Sequence, residues 1–580
     1  MKTTLPFAKM LVPKRTWPHL VDLTVILCGL ALFFGMIKLG TYWMARPIPA
    51  VVISHSVRAL PQYAFYSVAR IATAYIFSLI FAISYGYIAA YNPRVEAWMI
   101  AVLDILQSIP VLSFLPGVML AMMALIPGHQ FGIEMGSILL IFTGQVWNMA
   151  FSFYSSLKSI PREMVEASRI YRYSAWQRFW QLEMPFAAIG LIWNSIVSVA
   201  GGWFFLIVCE MFAFRGTSFR LPGLGSYLQT AADTQDMHAL FWGLFVLVLI
   251  IVATDQLIWR PLIAWSDKFK FEQVESSTRI TSPILTLLQR PGPLTRLPAR
   301  VWGSLEERIY HQLSQTRECR IVQPLDDTSR KGGRMFPLLL GSFVALIVLW
   351  GLSQAYQLLH GTTWADIRLL LLGAGATYLR VNTAIAIAAL WTIPVGVTIG
   401  SNPKLASYLQ PITQVVASVP ATALFPVMML ALIHMGGGLG IGSIALMLMG
   451  TQWYILFNVI AGATAIPTDL KEAAEVFHFT RWQRWTRLIL PGIFPYLITG
   501  MITASGGAWN ASIVSEYFHI GGRTLQTIGL GAQISAASDT GKFSTLLLAT
   551  ILMATIVVTM NRLVWRRLYR LAETRYKLEG

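Results

Sequence analysis

Residues 19–37, 97–126, 186–208, 239–253, 337–352 and 545–560 form long runs almost free of charge, and nothing else in the chain restricts its fold so tightly. Each approaches or exceeds the roughly 20 apolar residues that carry a helix across a hydrocarbon core. The runs are continuously apolar, whereas the strands of a membrane barrel alternate with period two. With only 12% charged residues against 55% apolar ones, about half the charge of a soluble domain, a soluble enzyme is excluded as well. The expected class is an all-α integral membrane protein.

Spans are expected near 19–42, 62–90, 97–126, 135–157, 186–209, 239–261, 337–358, 370–399, 407–433, 441–461, 492–514 and 542–561. Lys2, Lys9, Lys14 and Arg15 precede the first, which lacks a small-residue cleavage site and is expected to be retained. Twelve spans put both termini in the cytoplasm. Most of the 44 Lys and Arg then fall in cytoplasmic segments, as retention of positive charge on that face requires. The net charge of +17 is therefore a topology signal, with attraction to lipid headgroups as a lesser effect, and it does not call for a nucleic-acid partner. Cys28, Cys209 and Cys319 have no metal-ligand spacing, and no cofactor is indicated.

The sequence also matches itself, at an offset of 310 and then of 306. Arg70 falls on Arg380, Pro110 on Pro420, Trp147 on Trp453, Pro161 on Pro467, Trp203 on Trp509 and Glu210 on Glu516. Six spans per half make the halves parallel repeats, a pseudo-dimer about an axis along the membrane normal. The expected division is 1–61 with the first span, a domain at 62–265, a cytoplasmic linker at 266–336 with a short helix near 301–318, a seventh span with its outer loop at 337–369, and a second domain at 370–580.

Each half carries one long cytoplasmic loop. The first runs from Ile160-Pro161-Arg162-Glu163 through Glu166-Ala167-Ser168 to Met184-Pro185. The second runs from Ile466-Pro467-Thr468-Asp469 through Glu472-Ala473-Ala474 to Leu490-Pro491. Proline followed by acidic residues suits the first turn of a helix. The interleaved aromatics, Arg and Gln that follow describe a docking surface.

These residues resemble the signature of the permease subunits of ABC importers: Glu-Ala-Ala, a Gly six residues after the Glu, and Leu-Pro nineteen residues after it. Both halves keep the nineteen-residue spacing. Ser108-Ile109-Pro110 to Pro116 and Ser418-Val419-Pro420 to Pro426 are most similar to the branch that imports nitrate, sulfonates and taurine. The resemblance covers about 62–265 and 370–570. It implies that Glu166, Ala167, Ser168 and Arg172, and Glu472, Ala473, Ala474 and His478, form coupling helices seated on two cytoplasmic ATPase subunits, with a secreted solute-binding protein delivering a small anion from outside. ATP would be bound by those partners, since the chain has no Gly-x-x-x-x-Gly-Lys-Ser/Thr loop. Arg172 and His478 stand where the family has Gly, so a turn of another geometry is expected there.

Polar residues within spans are costly and commonly face a cavity or a partner. Gln145, Asn148, Trp203 and Glu210, with Gln452, Trp453, Trp509 and Glu516, are candidates to line a path between the halves. The alternative is helix–helix hydrogen bonding, with Glu210 and Glu516 in structural pairs. Arg70 and Arg380 read as snorkelling side chains near helix ends. A twelve-span ion-coupled transporter is the competing functional class, but it needs ionisable relays near mid-membrane and the spans supply few.

Overall fold

The computed structural model describes residues 52–126, 130–211, 213–214, 217–218, 220–266, 346, 349–350, 353, 356–360, 362–436, 438–520 and 523–575. The predicted first span, the linker with its helix at 301–318, and most of the seventh span lie outside the described residues.

The first half comprises α1 (Val57–Tyr91), α2 (Pro93–Ser108), α3 (Leu115–Leu125), α4 (Gln130–Lys158), the short α5 (Arg162–Ile170), α6 (Ala175–Glu210), α7 (Leu224–Asp233) and α8 (Met237–Ser266). A hairpin of β1 (Ala213–Phe214) and β2 (Thr217–Ser218) precedes α7. The second half repeats the order as α9 (Trp364–Ser401), α10 (Pro403–Ser418), α11 (Ala421–His434), α12 (Leu439–Ala465), α13 (Thr468–Val476) and α14 (Arg481–Ser515). The hairpin of β3 (Tyr517–Ile520) and β4 (Arg523–Gln526), α15 (Leu530–Thr540) and α16 (Phe543–Ala572) complete it. Among the described residues eight helices are long and apolar enough to cross a membrane: α1, α4, α6, α8, α9, α12, α14 and α16.

The expected continuous spans at 97–126 and 407–433 are each broken. Two helices meet at 84° in the first half and at 78° in the second. The break falls at Ser108-Ile109-Pro110 and at Ser418-Val419-Pro420, because proline has no N–H to continue the helical ladder and pushes the preceding residue out of the helical region. Val419 accordingly sits at ψ 117°. A new turn then starts from the proline carbonyl, which accepts from Ser113 in one half and Ala423 in the other. The first bent pair still travels the length of its bundle: Glu96 pairs with Lys158 at one end of α4, while Met122 lies against Gly132 at the other.

Small residues let the helices approach closely, which is how helices associate where apolar burial gives no net drive. At Gly86 an added methyl would meet the Phe153 ring and the Ala150 carbonyl, and at Gly400 the carbonyl of Ile460. The halves join through pseudo-symmetric contacts. The Leu112 N–H donates to Asn510 Oδ1 (3.4 Å), and at the equivalent position across the seam Thr422 Oγ1 donates to the Phe204 carbonyl (3.3 Å). At the α7 and hairpin level, Gln229 Nε2 donates to the His519 carbonyl (2.9 Å).

Candidate functional site

The two predicted docking loops fold alike. Pro161 and Pro467 precede α5 and α13 in extended conformation, with Glu163 and Asp469 in the first turns. Each helix ends in a paired cap: Arg172 N–H reaches the Arg169 carbonyl and Tyr173 N–H that of Ser168, while His478 reaches Glu475 and Phe479 reaches Ala474. That is the Schellman arrangement, which needs a left-handed residue just past the helix. Arg172 and His478 supply it, at φ 53° and 50°. The expectation of a different turn is therefore overturned: both residues adopt the conformation a glycine would take. Holding a non-glycine residue there costs about 1–2 kcal/mol, a strain tolerated because the 6→1 bond and the next helix fix both flanks. Ser174 and Thr480 form capping boxes with Gln177 and Gln483 immediately afterwards.

Glu166 and Glu472 are exposed on these helices, Ala167 and Ala473 are half-buried, and Ser168 and Ala474 are buried. The extra hydroxyl of Ser168 is satisfied by the Val165 carbonyl at 2.7 Å. Sequence reasoning missed the apolar tip. Ile170 and Tyr171 are 79% and 73% exposed, and their repeat partners Val476 and Phe477 are both 74% exposed. Their recurrence at the 306 offset was the available signal.

At the opposite end, Arg70 and Arg380 do not snorkel. Arg70 is 4% exposed and donates to Glu210 (2.8 Å), to both oxygens of Glu134 (2.5 and 2.6 Å) and to the Pro222 carbonyl. Glu210 also receives Ser67 and the Gly225 N–H. Arg380 repeats the pattern with Glu516 (2.9 Å) and the Ile528 carbonyl, while Thr377 and the Gly531 N–H complete the carboxylate's shell. These networks pin α7 and α15 to the bundle, so Glu210 and Glu516 are buried anchors of the flanking helices.

Trp203 and Trp509 are buried, and Gln145 is completely so. Asn148, Gln452 and Trp453 are half-buried. Asn148 Oδ1 accepts from Gln107 at 3.0 Å, and Trp453 meets Trp391 edge to face. The repeat partner of Gln145 is Thr451, one residue before Gln452, so the two glutamines do not occupy equivalent positions. The exposed surface below the seam belongs to other residues of α6 and α14. Trp193, Val197 and Ala200 lie on the face of α6 that ends at seam residue Phe204; Thr499 and Thr503, with the half-buried Gly506, lie on the face of α14 that ends at Asn510. Trp193 to Phe204 and Thr499 to Asn510 each span about three turns, which returns to the same face.

The family model described as binding-protein-dependent transport system inner membrane component matches twice, over residues 65–257 and 392–570. Among curated proteins the chain is 29% identical over 189 residues to the nitrate import permease protein NrtB of Leptolyngbya laminosa, covering 33% of this chain and 64% of that protein. It is 28% identical over 189 residues to the bicarbonate transport system permease protein CmpB of Synechococcus elongatus (33% and 65%). It is 28% identical over 200 residues to the taurine transport system permease protein TauC of Escherichia coli (34% and 67%). The chain thus spans just under two thirds of the length of the first of these relatives. With the family model matched twice and the fold duplicated, this multi-pass membrane protein belongs to the binding-protein-dependent transport system inner membrane components, two copies of the domain standing in one chain.

Proposed function

We propose that the chain is the complete membrane path of an ATP-driven importer, two permease domains fused so that one polypeptide does the work of a pair. The observation that carries this reading is the duplicated docking helix: α5 and α13 present the same exposed acidic residue, the same left-handed turn and the same apolar tip. Two such tips suit two cytoplasmic ATPases, one per half. Those partners bind and hydrolyse ATP, and their closure rocks the halves about the seam. Both termini and both tips then face the cytoplasm of a bacterial inner membrane, with α7, α15 and the two hairpins on the outer side, where a secreted binding protein would deliver cargo. The cargo is a small anion of the kind named for the relatives, nitrate, bicarbonate or the sulfonate taurine.

Co-purification with the cognate ATPase tests this directly. Two ATPases per chain are expected, and the Glu166→Lys and Glu472→Lys exchanges should each weaken the complex while leaving membrane insertion intact. One ATPase per chain, or full complexes from the double exchange, overturns the assignment. Uptake of labelled nitrate, bicarbonate and taurine by cells expressing the full system identifies the cargo.

A further inference from the structure

The repeat is close in shape and unequal in chemistry, and one inequality lies just behind the seam. In the first half the side chain of Gln145 is completely buried between α4 and α6, and neither its nitrogen nor its oxygen has a hydrogen-bond partner. Its amide lies over Gly202, where an added methyl would stand 2.2 Å from Nε2. One turn before Gly202 is Ser198, whose buried hydroxyl also has no partner. Gly201, next to Gly202, has nothing within 4 Å of where a side chain would start. One turn from Gln145, Asn148 carries the amide that accepts from Gln107.

The second half fills the same positions differently. Thr451 replaces Gln145 and is satisfied by the Met447 carbonyl. Ala504 replaces Ser198, Ala508 replaces Gly202, and Tyr454 replaces Asn148. The Tyr454 ring closes on Gly507, the counterpart of Gly201, at 3.3 Å from its added carbon. One half is open here and holds an unpaired amide; the other is plugged by a tyrosine ring and holds no amide at that position.

An unpaired buried amide costs about 1–3 kcal/mol for each group left without a partner, so Gln145 is not serving as hydrogen-bonding glue between helices. Such groups in folded proteins call for a polar partner that the fold itself does not supply. We propose that Gln145, Ser198 and Asn148, opening to the seam at Gly201, form a single polar station on the translocation path, carried by the first half alone and fitted to a small oxyanion. The inference rests on the importer reading above. Its donors are neutral amide and hydroxyl groups, and no Lys or Arg lies on either stripe of α6 or α14 below the seam. Neutral donors give the anion partners without the deep well of a buried ion pair, and a path must let its cargo leave. The facing wall of Thr499 and Thr503 has its hydroxyls turned back onto the Pro495 and Thr499 carbonyls. That wall offers oxygen lone pairs and methyl groups, which suits passage more than holding.

Two readouts test the station. In a cysteine-free background, Gly201→Cys and Gly507→Cys are labelled in membrane vesicles with methanethiosulfonate ethylsulfonate, itself a small sulfonate anion. Gly201→Cys should react at least tenfold faster. Because labelling needs no ATPase, its failure is distinguishable from failure of the importer assignment. In cells, Gln145→Met keeps the side-chain volume and removes both polar atoms. It should raise the half-saturating concentration of whichever solute the three-solute panel identifies by at least tenfold, and Ser198→Ala, already the residue of the second half, should raise it severalfold. Thr451→Val should change it by less than twofold. Equal labelling of the two glycine positions overturns the asymmetry. Unchanged uptake in both Gln145→Met and Ser198→Ala shows that these groups serve buried water only and overturns the station.

Discussion

Arg172 and His478 show how far a single position can be read. With glycine missing from both positions another turn is expected, yet both residues take φ near 50°. The backbone has no second way to satisfy the carbonyls of Ser168 and Ala474 while starting a capping box two residues later. Restoring the glycine should therefore stabilise. Arg172→Gly and His478→Gly are each expected to raise the thermal midpoint of the detergent-solubilised protein, by an increment of about 1 kcal/mol, whereas Arg172→Val should lower it because a β-branched residue tolerates positive φ worst. A fall in midpoint for both glycine variants would contradict the strain assigned here. The buried arginines were misread for another reason: partners such as Glu210 lie 140 residues away, beyond any local pattern. Arg70→Met leaves Glu210 and Glu134 facing each other without a cation and should cost about 3–5 kcal/mol. Limited proteolysis around α7 should report that loss first, since this network holds α7 down.

At the scale of elements, α5 and α13 are legible because their signals are local: proline, acidic first turn, fixed spacing to the next Leu-Pro or Met-Pro. The broken spans were half legible. The Ser-x-Pro pattern marked both places, but hydropathy alone joined the arms into one continuous run. Unequal attachment of the two long loops is not legible, because it depends on Tyr91, far in sequence from Arg178 and Glu183. In the first half Tyr91 donates to Glu183 (2.5 Å), Arg178 pairs with the same oxygen (2.7 Å), and the guanidinium sits 4.8 Å over the Tyr91 ring. Ser401, Arg484 and Ile489 occupy the equivalent positions. Among the described residues Arg484 finds only Glu475 at 3.5 Å, an exposed pair that adds little. Trp176 is 38% exposed and its counterpart Trp482 77%. The first long loop is thus clamped to the end of α1, and the second is held mainly by its own caps. Tyr91→Phe removes one charge-assisted bond, about 1–3 kcal/mol, and should speed tryptic cleavage after Arg169 and Arg172 severalfold. Ser401→Ala should leave cleavage of the second loop unchanged, and equal effects in the two loops would refute the clamp.

Over the whole molecule, the pseudo-twofold relation is what joins the two bundles. Two of the contacts that cross it are made by the bent pairs: Leu112, just after the first break, meets Asn510 on α14, and Thr422, just after the second, meets Phe204 on α6. A proline break therefore does two things, ending one arm of the pair and aiming the next into the opposite half. If ATPase closure rocks the halves, these contacts must open and re-form in each cycle. Tying Leu112→Cys to Asn510→Cys, or Phe204→Cys to Thr422→Cys, with a short bifunctional thiol reagent should then stop uptake. The two ties should be equally effective because they are related by the same axis. Reagents with a cleavable spacer should restore uptake on reduction, and a longer spacer should restore part of it without reduction. Cross-linked protein that still transports at the uncross-linked rate would place the moving boundary elsewhere, within a half and not between them.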